Sequence, residues 1–506
     1  MMNLIHSYDN QKFVNKTNIY LFKKVFLGGG IFIVYLITAI FSSGFHHYDE
    51  HYQILEFADF KLGLIDLKDV AWEYQARIRP SLQPAIALGV FKLLIACNIR
   101  DRFIWAFMLR LLTALLAIIS INNFTKVISP SLPAFIVKYF LFFSFLLWFL
   151  PYVNVRFSSE SWSGLFLLNS LTLTMSLKKN ENFFRLCLLG LFMSLSIIFR
   201  YQTALSIAGI LCWLIFVNKI PVKSLFILVL TIFTMLLSGL LLDRWFYGEW
   251  VLTIYNYFQA NIVDDVASGY GVAPFYQYFI YILNAPIICF GIIIISALLI
   301  VLYKQSNHLL VWVILPFLVI HCIIPHKELR FLFPLANLTP AVVFIAISSI
   351  KFIEFAKFRY VIIILLFVNA LALVCNSLKS AGDSRLAIAD FIHTEYGGRM
   401  VNLIITPRTN PYDPIHPKDI FYKNYNVEIC SFDPKSTLNL LKLKKNGYIN
   451  LLTIYKKDAQ NNAVRSLIRT SHLVIVRTSF PRFMDWGIQL YDTKLADKDL
   501  ALYEFR

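Results

Sequence analysis

Long apolar runs constrain this chain of 506 residues more than any other feature. A helix of about 20 apolar residues crosses the hydrocarbon core of a bilayer, and the sequence contains eleven runs of roughly that length. Hydrophobic residues make up 58% of the chain and charged residues only 15%, a balance that no soluble domain of this length has. We therefore predict a polytopic α-helical membrane protein. The approximate spans are 25–43, 103–121, 133–150, 161–177, 184–199, 203–217, 224–242, 277–303, 309–324, 331–349 and 358–377.

Positively charged residues in the short connections orient these spans. If the N-terminal segment 1–24 is cytoplasmic, alternate connections carry nearly all of their charge as lysine or arginine, as cytoplasmic loops do. The net charge of +17 then reflects membrane topology, and we expect no nucleic-acid partner. The first span, 25–43, is not followed by a small-residue cleavage site and is predicted to be an uncleaved signal anchor. The basic residues on this side are Lys126, Lys178, Lys179, Arg185, Lys219, Lys223, Lys304, Lys351, Lys357 and Arg359.

The first external loop, residues 44–102, is predicted to be a structured cap on the outer side. Within it, segment 54–62 places its apolar residues on one arc of a helix, with Glu56 and Asp59 pointing away, which is typical of an interfacial helix. Segment 81–99 is apolar but interrupted by prolines, and we expect it to lie on the outer surface or dip into it.

The composition changes after residue 378. Apolar runs shorten to strand length and alternate with helix-like stretches, a pattern that favours a small α/β domain. We therefore divide the chain into a cytoplasmic N-terminus (1–24), a membrane domain (25–377) and a soluble extracytoplasmic domain (378–506) that begins near Gly382 and Asp383. The predicted strands are Val401–Thr406, Val427–Cys430, Ile449–Tyr455 and Leu473–Arg477, and the predicted helices are Ser384–Glu395 and Ala463–Arg469.

Two adjacent carboxylates, Asp49 and Glu50, follow the first span among histidines. Charge is costly so close to hydrocarbon, so the pair indicates a functional site. The alternative interpretation is a solvated acidic loop.

Arginines at the outer ends of the spans suit an anionic ligand, because guanidinium binds phosphate or carboxylate in a bidentate way. Arg77 and Arg79 close the first external loop, Arg156 and Glu160 precede the fourth span, and Arg200 fills the very short turn between the fifth and sixth spans. Each also has a structural interpretation, as a snorkelling side chain beside lipid headgroups or as an anchor at a helix end.

The densest cluster of charges is His326-Lys327-Glu328-Leu329-Arg330. Three candidate cations and one carboxylate between apolar spans suit phosphate binding, with Glu328 holding the basic groups in place. The spacing matches no standard metal site, and we expect no metal.

Aromatic residues interleave with asparagine and glycine over 243–279. Tyr247, Asn256 and Asn261 in this region suit a carbohydrate, whose hydroxyl groups amides can bind. The aromatic belt of any membrane interface explains the aromatic rings but not the amides.

These motifs, in this order, resemble one family: the dolichol-phosphate-mannose-dependent α-mannosyltransferases of N-glycan and GPI-anchor assembly (glycosyltransferase family 22, GT-C fold). The resemblance covers about residues 44 to 340 and is to the GPI third-mannose transferases in particular. A weaker similarity covers Thr406-Pro407-Arg408, Tyr412 and His416-Pro417 in the tail. The motifs are Asp49-Glu50, WEY…RIRPSLQP (72–84), RFSSESW (156–162), FRYQTAL (199–205), DRWFYGEW…NYF…N (243–261), YGVAPFYQYF (270–279) and HKELRF (326–331).

Two departures from the family stand out. The family usually has His-Pro-Asp-Glu where this chain has His47-Tyr48-Asp49-Glu50, so the proline is missing while both carboxylates remain. The C-terminal region matches poorly, which leaves the acceptor open.

The resemblance implies an inverting glycosyltransferase with two substrates, a polyprenyl- or dolichyl-phosphate-linked mannose and a glycan or glycolipid acceptor. It acts on the lumenal or periplasmic side and forms an α-linkage. Asp49 would be the general base and Glu50 would orient the acceptor or tune Asp49. His326, Lys327 and Arg330 would stabilise the departing phosphate, with Arg77, Arg79 and Arg200 as further phosphate ligands. Glu328, Glu160, Arg156, Tyr247, Asn256 and Asn261 would support the site or the acceptor. No cofactor is expected, because the lipid-phosphate sugar is itself a substrate.

Three other interpretations stay open: a transporter or flippase for a lipid-linked saccharide, the same chemistry with another sugar, and a non-catalytic subunit. A transporter is disfavoured because the charges gather on one face and no repeat is visible. The poor match of the tail to eukaryotic members favours a bacterial inner membrane, with the endoplasmic reticulum membrane as the alternative.

Overall fold

The structure is a computed structural model that describes residues 28–178, 181–350, 359–381, 385–406, 408–412, 421–433, 440–480 and 499–505. The predicted N-terminal segment 1–24 lies outside the described residues, as do Gly382, Asp383, Pro407, His416 and Pro417.

Helices form over the described part of every predicted span. Four of them are long and apolar enough to cross a membrane singly, and six spans result if each of two bent pairs counts as one. The number of eleven spans therefore stays a prediction. The longer helices are Gly28–Phe41, Leu82–Ala96, Arg102–Ile128, Ala134–Leu146, Ser159–Met175, Phe183–Phe199, Ala204–Trp213, Val222–Tyr247, Gln277–Asn284, Ile288–Lys304, Leu309–Ile323, Thr339–Ser348 and Arg359–Ser377.

Breaks divide several predicted spans into shorter helices. The predicted span 331–349 forms a turn and two helices, Phe333–Ala336 and Thr339–Ser348, each with a proline in its first turn. Proline is favoured there, because its missing N–H would have no partner inside the helix. The pieces Leu329–Ala336 and Thr339–Ser348 meet at 61°. The shorter helices in the membrane part are Tyr48–Glu50, Glu56–Lys61, Trp72–Gln75, Leu150–Asn154 and Thr253–Phe258.

The first external loop is folded, but its segment 54–62 is not the amphipathic surface helix that the sequence predicts. Glu56 and Asp59, expected to point toward solvent, are both buried. The Asp59 carboxylate pairs with Arg102, and Glu56 Oε1 lies 3.5 Å from His51 Nε2. The prediction was wrong because the partners of these carboxylates are themselves covered by the C-terminal domain, since the His51 ring and the Arg102 guanidinium both lie against Phe421.

The C-terminal domain contains the predicted sheet. The described strands are β1 (Val401–Ile405), β2 (Val427–Ser431), β3 (Ile449–Tyr455), β4 (Leu473–Thr478) and β5 (Leu500–Phe505), in the order β2-β1-β3-β5-β4. The first three are mutually parallel, and β5 pairs antiparallel with both β3 and β4. Strand β5 was not predicted, because its residues show no clear alternation of polar and apolar side chains. The domain's helices are Leu386–Tyr396 and Asn462–Thr470.

The C-terminal domain shares one hydrophobic core with the first external loop. Leu55 and Phe91 of the loop belong to the same buried cluster as Leu386, Val401 and Leu502. The domain therefore packs directly on the loop that carries the acidic pair.

An ion pair at this junction makes its stability depend on pH. His393 Nε2 lies 2.9 Å from Asp101 Oδ2, with Asp390 and Asn424 also facing the ring. The hydrogen bond to Asp101 raises the pKa of His393 above 6.5, outweighing the effect of burial. The contribution of the His393 imidazolium to the free energy of unfolding is therefore fully present below pH 6.5. It is lost as the pH rises through the raised pKa.

We expect His393→Gln to lower the unfolding temperature at pH 6 and to change it much less at pH 9. A partly exposed pair of this kind contributes about 0.5–1 kcal/mol. Thermal unfolding of the detergent-solubilised protein at both pH values measures the effect. An equal loss at both values would contradict the assignment.

Gly209 allows two helices to approach closely. A Cβ atom built there would lie 1.9 Å from the carbonyl oxygen of Trp312 on the neighbouring helix Leu309–Ile323. We expect Gly209→Ala to destabilise the protein by about 1–3 kcal/mol, because backbone has to move. Gly89→Ala is the matched control in a helix with open space around the new methyl group, and we expect it to leave the unfolding temperature unchanged or slightly raised.

Candidate active site

The ends of several helices bring the predicted charged residues together. Asp49 lies in the short helix Tyr48–Glu50, whose N-cap is His47. Tyr48 takes the first helical position, where the family has proline, and His47 has the extended conformation that a residue before proline adopts. The missing proline therefore leaves the turn intact.

Asp49 is held by two arginines from distant parts of the chain. Its Oδ2 atom lies 2.6 Å from Arg330 Nη1 and 3.3 Å from Arg79 Nη2. Its Oδ1 atom lies 3.3 Å from His47 Nδ1. The acidic pair and the basic cluster of the sequence thus meet at one point.

Arg330 is the central cation of this group. Besides Asp49, its Nη1 atom contacts Glu160 Oε1 at 2.9 Å, and its Nε atom donates to Glu328. Glu160 Oε1 also lies 2.8 Å from Arg200 Nη1. We call Asp49, Arg79, Glu160, Arg200, Glu328 and Arg330 the ion-pair cluster. It contains three carboxylates and three guanidinium groups, so its formal charges balance.

Two histidines border the cluster through Glu328. His326 Nε2 lies 2.8 Å from Glu328 Oε1, and its Nδ1 atom lies 2.8 Å from the carbonyl oxygen of Gly271. His47 Nε2 lies 3.3 Å from Glu328 Oε2. Glu328 therefore lies between the basic side chains of His47, His326 and Arg330.

The neighbouring charges keep the cluster's carboxylates ionised. Burial by itself would raise the pKa of Asp49, but Arg330, His47 and Arg79 together hold it well below the usual value. Burial would also raise the pKa of Glu328, but the contact with Arg330 lowers that pKa to about 2.

Glu50 faces a different partner from Asp49, because successive residues of a helix point about 100° apart. Its Oε2 atom lies 3.5 Å from Arg156 Nη1 and accepts a hydrogen bond of 3.3 Å from the His46 N–H. Burial raises the pKa of Glu50 more than Arg156 lowers it. Arg156 also donates to the carbonyl oxygens of Ser42 and Gly44, so this pair ties the external loop to the end of the first helix.

Besides Glu50, Arg156 and His326, five further predicted site residues lie outside the cluster. The Arg77 guanidinium pairs with Glu249, and the Lys327 ammonium donates to the carbonyl oxygens of Ala273 and Ile324. The other three bind backbone: the Tyr247 hydroxyl donates to Arg79 O (2.7 Å), Asn256 Nδ2 to Arg77 O (3.3 Å) and Asn261 Nδ2 to Tyr257 O (3.0 Å).

The sequence analysis missed a polar pocket on one side of Asp49. Its wall includes Gln53, Gln83, Gln202 and Tyr257 as well as Asp49. Gln83 and Gln202 stand inside the quoted motifs RIRPSLQP and FRYQTAL, but uncharged side chains gave no signal of a site.

A second, apolar cavity has a volume of about 420 Å³. Its wall includes His46 and Leu329, the residue before Arg330. Aromatic and aliphatic side chains line it, with Tyr152, Trp148 and Phe333 among them. Within the described ranges, no three His, Cys, Asp or Glu side chains are grouped as a metal site would require.

The fold defines the class of protein. It is similar to the crystal structure of ArnT from Cupriavidus metallidurans bound to undecaprenyl phosphate, with a TM-score of 0.53 over 95% of this chain and 98% of that chain, at 10% identity. The protein has the GT-C membrane fold, and the predicted fold class is confirmed. The model of the Alg9-like mannosyltransferase family matches residues 30–404, and the chain belongs to that family. The predicted family and the predicted enzyme class, a glycosyltransferase, are therefore confirmed.

Several similar proteins are named GPI mannosyltransferase 3, among them one from Yarrowia lipolytica and one from Candida albicans. The protein from Yarrowia lipolytica is 26% identical over 59% of this chain and 57% of its own length. The one from Candida albicans is 23% identical over 91% of this chain and 92% of its own. Mannosyltransferase APTG1 of Arabidopsis thaliana is 24% identical over 59% of this chain and 54% of its own length. The chain thus spans little more than half of two of these relatives.

Proposed function

We propose that the protein transfers mannose, with inversion, from a polyprenyl-phosphate donor to a hydroxyl group of a glycan or glycolipid, forming an α-linkage. One observation carries the proposal: the Asp49 carboxylate lies 2.6 Å from the Arg330 guanidinium. A carboxylate that can take a proton thus stands beside a cation that can bind the leaving phosphate.

The donor fits between the apolar cavity and the ion-pair cluster. The cavity of about 420 Å³ suits part of a prenyl chain, and Leu329 in its wall adjoins Arg330. The phosphate would then reach Arg330, with Arg79 and His326 close by.

Donor binding would also activate Asp49. In the free protein, Arg330 and Arg79 lower the pKa of Asp49 so far that it is a weak base. A phosphate that takes over the hydrogen bonds of these guanidinium groups would leave Asp49 less stabilised as an anion, and its pKa would rise. Asp49 would then accept the proton of the acceptor hydroxyl as that oxygen attacks C1 of the mannose and the C1–O bond to the phosphate breaks.

Arg330, Arg79 and His326 would stabilise the charge that grows on the departing phosphate. Glu160 and Arg200 would position Arg330, and Glu50 with Arg156 would hold the helix that carries Asp49. We propose the extracytoplasmic face for this reaction, because the cluster joins segments that positive-inside charges place on that side. For the membrane we keep the bacterial inner membrane, with the endoplasmic reticulum as the alternative.

The test is transfer by the purified protein from a synthetic prenyl-phosphate mannose to a panel of mannosides and glycolipids. We expect an α-linked product, which NMR of the anomeric proton identifies. Donors with glucose or a pentose run in parallel, and exclusive use of one of them would replace mannose in the proposal. Movement of labelled donor across proteoliposomes without any product would favour the flippase interpretation.

A further inference from the structure

The polar pocket beside Asp49 is too small for a sugar ring. Its volume is about 30 Å³, and one water molecule needs about 10–15 Å³ of such space, so it holds one or two hydroxyl-sized groups. Its polar wall includes Asp49, Gln53, Arg79, Gln83, Gln202 and Tyr257.

Gln83 is the unusual member of this wall. Its side chain is 4% exposed, and across the part of the chain that the structure describes neither its amide oxygen nor its amide nitrogen has a hydrogen-bond partner. The other amides of the pocket are engaged, since Gln53 donates to Glu73 and Gln202 donates to Tyr257. A buried amide with no partner is unfavourable, so a site that keeps one indicates a missing ligand or water.

Hydrogen bonds fix the backbone just before Gln83. The N–H and hydroxyl of Ser81 donate to Asp243 Oδ1 at 2.8 and 2.6 Å. Thr253 donates to Oδ2 of the same carboxylate at 2.7 Å. Gln83 is therefore held at the start of helix Leu82–Ala96 with its amide among the pocket's polar groups.

The available hydrogen-bonding groups suit a neutral oxygen ligand. An amide offers one acceptor and one NH₂ donor, which together match a hydroxyl group that both donates and accepts. The Nε–H groups of Arg79 and Arg200 are also buried without a partner among the described residues, and both arginines line the same pocket. The Gln83 NH₂ and the two Nε–H groups are three donor groups, and with the Gln83 amide oxygen as acceptor they fit the hydroxyl groups of a sugar beside the proposed base.

We propose that Gln83 determines substrate specificity by binding one hydroxyl group of the sugar that reacts beside Asp49. This inference rests on the proposed function, sugar transfer at Asp49. The hydroxyl belongs either to the donor sugar or to the terminal sugar of the acceptor, and both present the same chemistry.

The test combines Gln83→Met, which keeps the chain length and removes both polar atoms, with two series of substrates. One series consists of donors lacking single hydroxyl groups, and the other of acceptors lacking single hydroxyl groups outside the reacting position. We expect Gln83→Met to lower kcat/KM for the complete substrates roughly 10- to 100-fold. For the one analogue that lacks the bound hydroxyl, wild type and variant should have the same kcat/KM.

The series in which the difference disappears identifies the donor or the acceptor as the source of the hydroxyl. A loss of equal size with every analogue, or no loss at all, would overturn the proposal and leave a pocket filled by water. Gln202→Met is the matched comparison, because the Gln202 amide already has a partner within the protein. We expect this variant to change kcat/KM by the same factor for every analogue in both series. Thermal unfolding shows whether each variant folds.

Failure of the proposed function gives a different result. In that case wild type produces no mannoside. The readout is then thermal unfolding of wild type and of Gln83→Met, each measured with the intact and with the deoxygenated sugar substrates. A hydroxyl site at Gln83 would still be supported if the intact substrates stabilise the wild type more than Gln83→Met while the deoxygenated analogue stabilises both proteins equally. Equal stabilisation of both proteins by the intact substrates would reject it.

Discussion

Asp49→Asn is expected to reduce sugar transfer by about 10²- to 10⁴-fold, the usual contribution of a general base. The substitution keeps the size of the side chain and removes its ability to accept a proton. It also removes a negative charge from Arg330 and Arg79, which contact Asp49 Oδ2 in the wild type. Those guanidinium groups then have more freedom to bind the donor phosphate, so we expect donor binding to be retained or tightened while kcat falls.

Single-turnover transfer from the labelled donor measures the chemical step, and donor titration measures binding separately. Asp66→Asn is the matched control, because Asp66 lies in the same external loop with an exposed side chain paired to Lys68. We expect it to leave the turnover number unchanged. Near-normal turnover by Asp49→Asn would remove Asp49 from the role of base.

Arg330→Met is expected to abolish transfer and to destabilise the fold by about 3–5 kcal/mol. The Arg330 side chain is buried and contacts Asp49, Glu160 and Glu328, so its loss leaves three carboxylates without their common cation. Removing one partner from a buried ion pair has a cost of that size, because the remaining charge stays desolvated. Arg330→Lys should recover part of the stability but little activity, since an ammonium group cannot make the same set of directed hydrogen bonds.

Thermal unfolding and the transfer assay measure the two effects. Arg77→Met provides the comparison, since the sequence suggested both arginines as phosphate ligands and the structure places only Arg330 in the ion-pair cluster. The Arg77 side chain is 42% exposed and pairs with Glu249, so we expect a change in stability within about 0.5 kcal/mol and retained transfer. Equal losses from the two substitutions would contradict this distinction.

Many of the residues in the ion-pair cluster could be predicted because charge is rare and costly in an apolar chain. Asp49, Glu160, Arg200, Glu328 and Arg330 all stand in motifs at the ends of predicted spans, and the structure brings them together. Gln83 could not be predicted in this way. An amide is unremarkable in a sequence and becomes informative only when its burial and its missing partners are known.

Side-chain direction could not be predicted from the motifs either. Lys327 stands three residues from Arg330, yet its ammonium group donates to backbone carbonyls while Arg330 points into the cluster. Glu50 follows Asp49 and pairs with Arg156. Neighbours in the sequence diverge because each local helix or turn sets the direction of its side chains.

The sequence by itself determined the helical membrane class, the family and four of the five described C-terminal strands, because hydropathy, charge and motifs are properties of local stretches of chain. Only the tertiary structure decided which charges meet. Asp49 and Arg330 are 281 positions apart and 2.6 Å apart in space, a contact that depends on how separate helices pack and where they bend. It also buried Glu56 and Asp59, because their partners His51 and Arg102 are covered by Phe421, which lies more than 300 residues further along the chain.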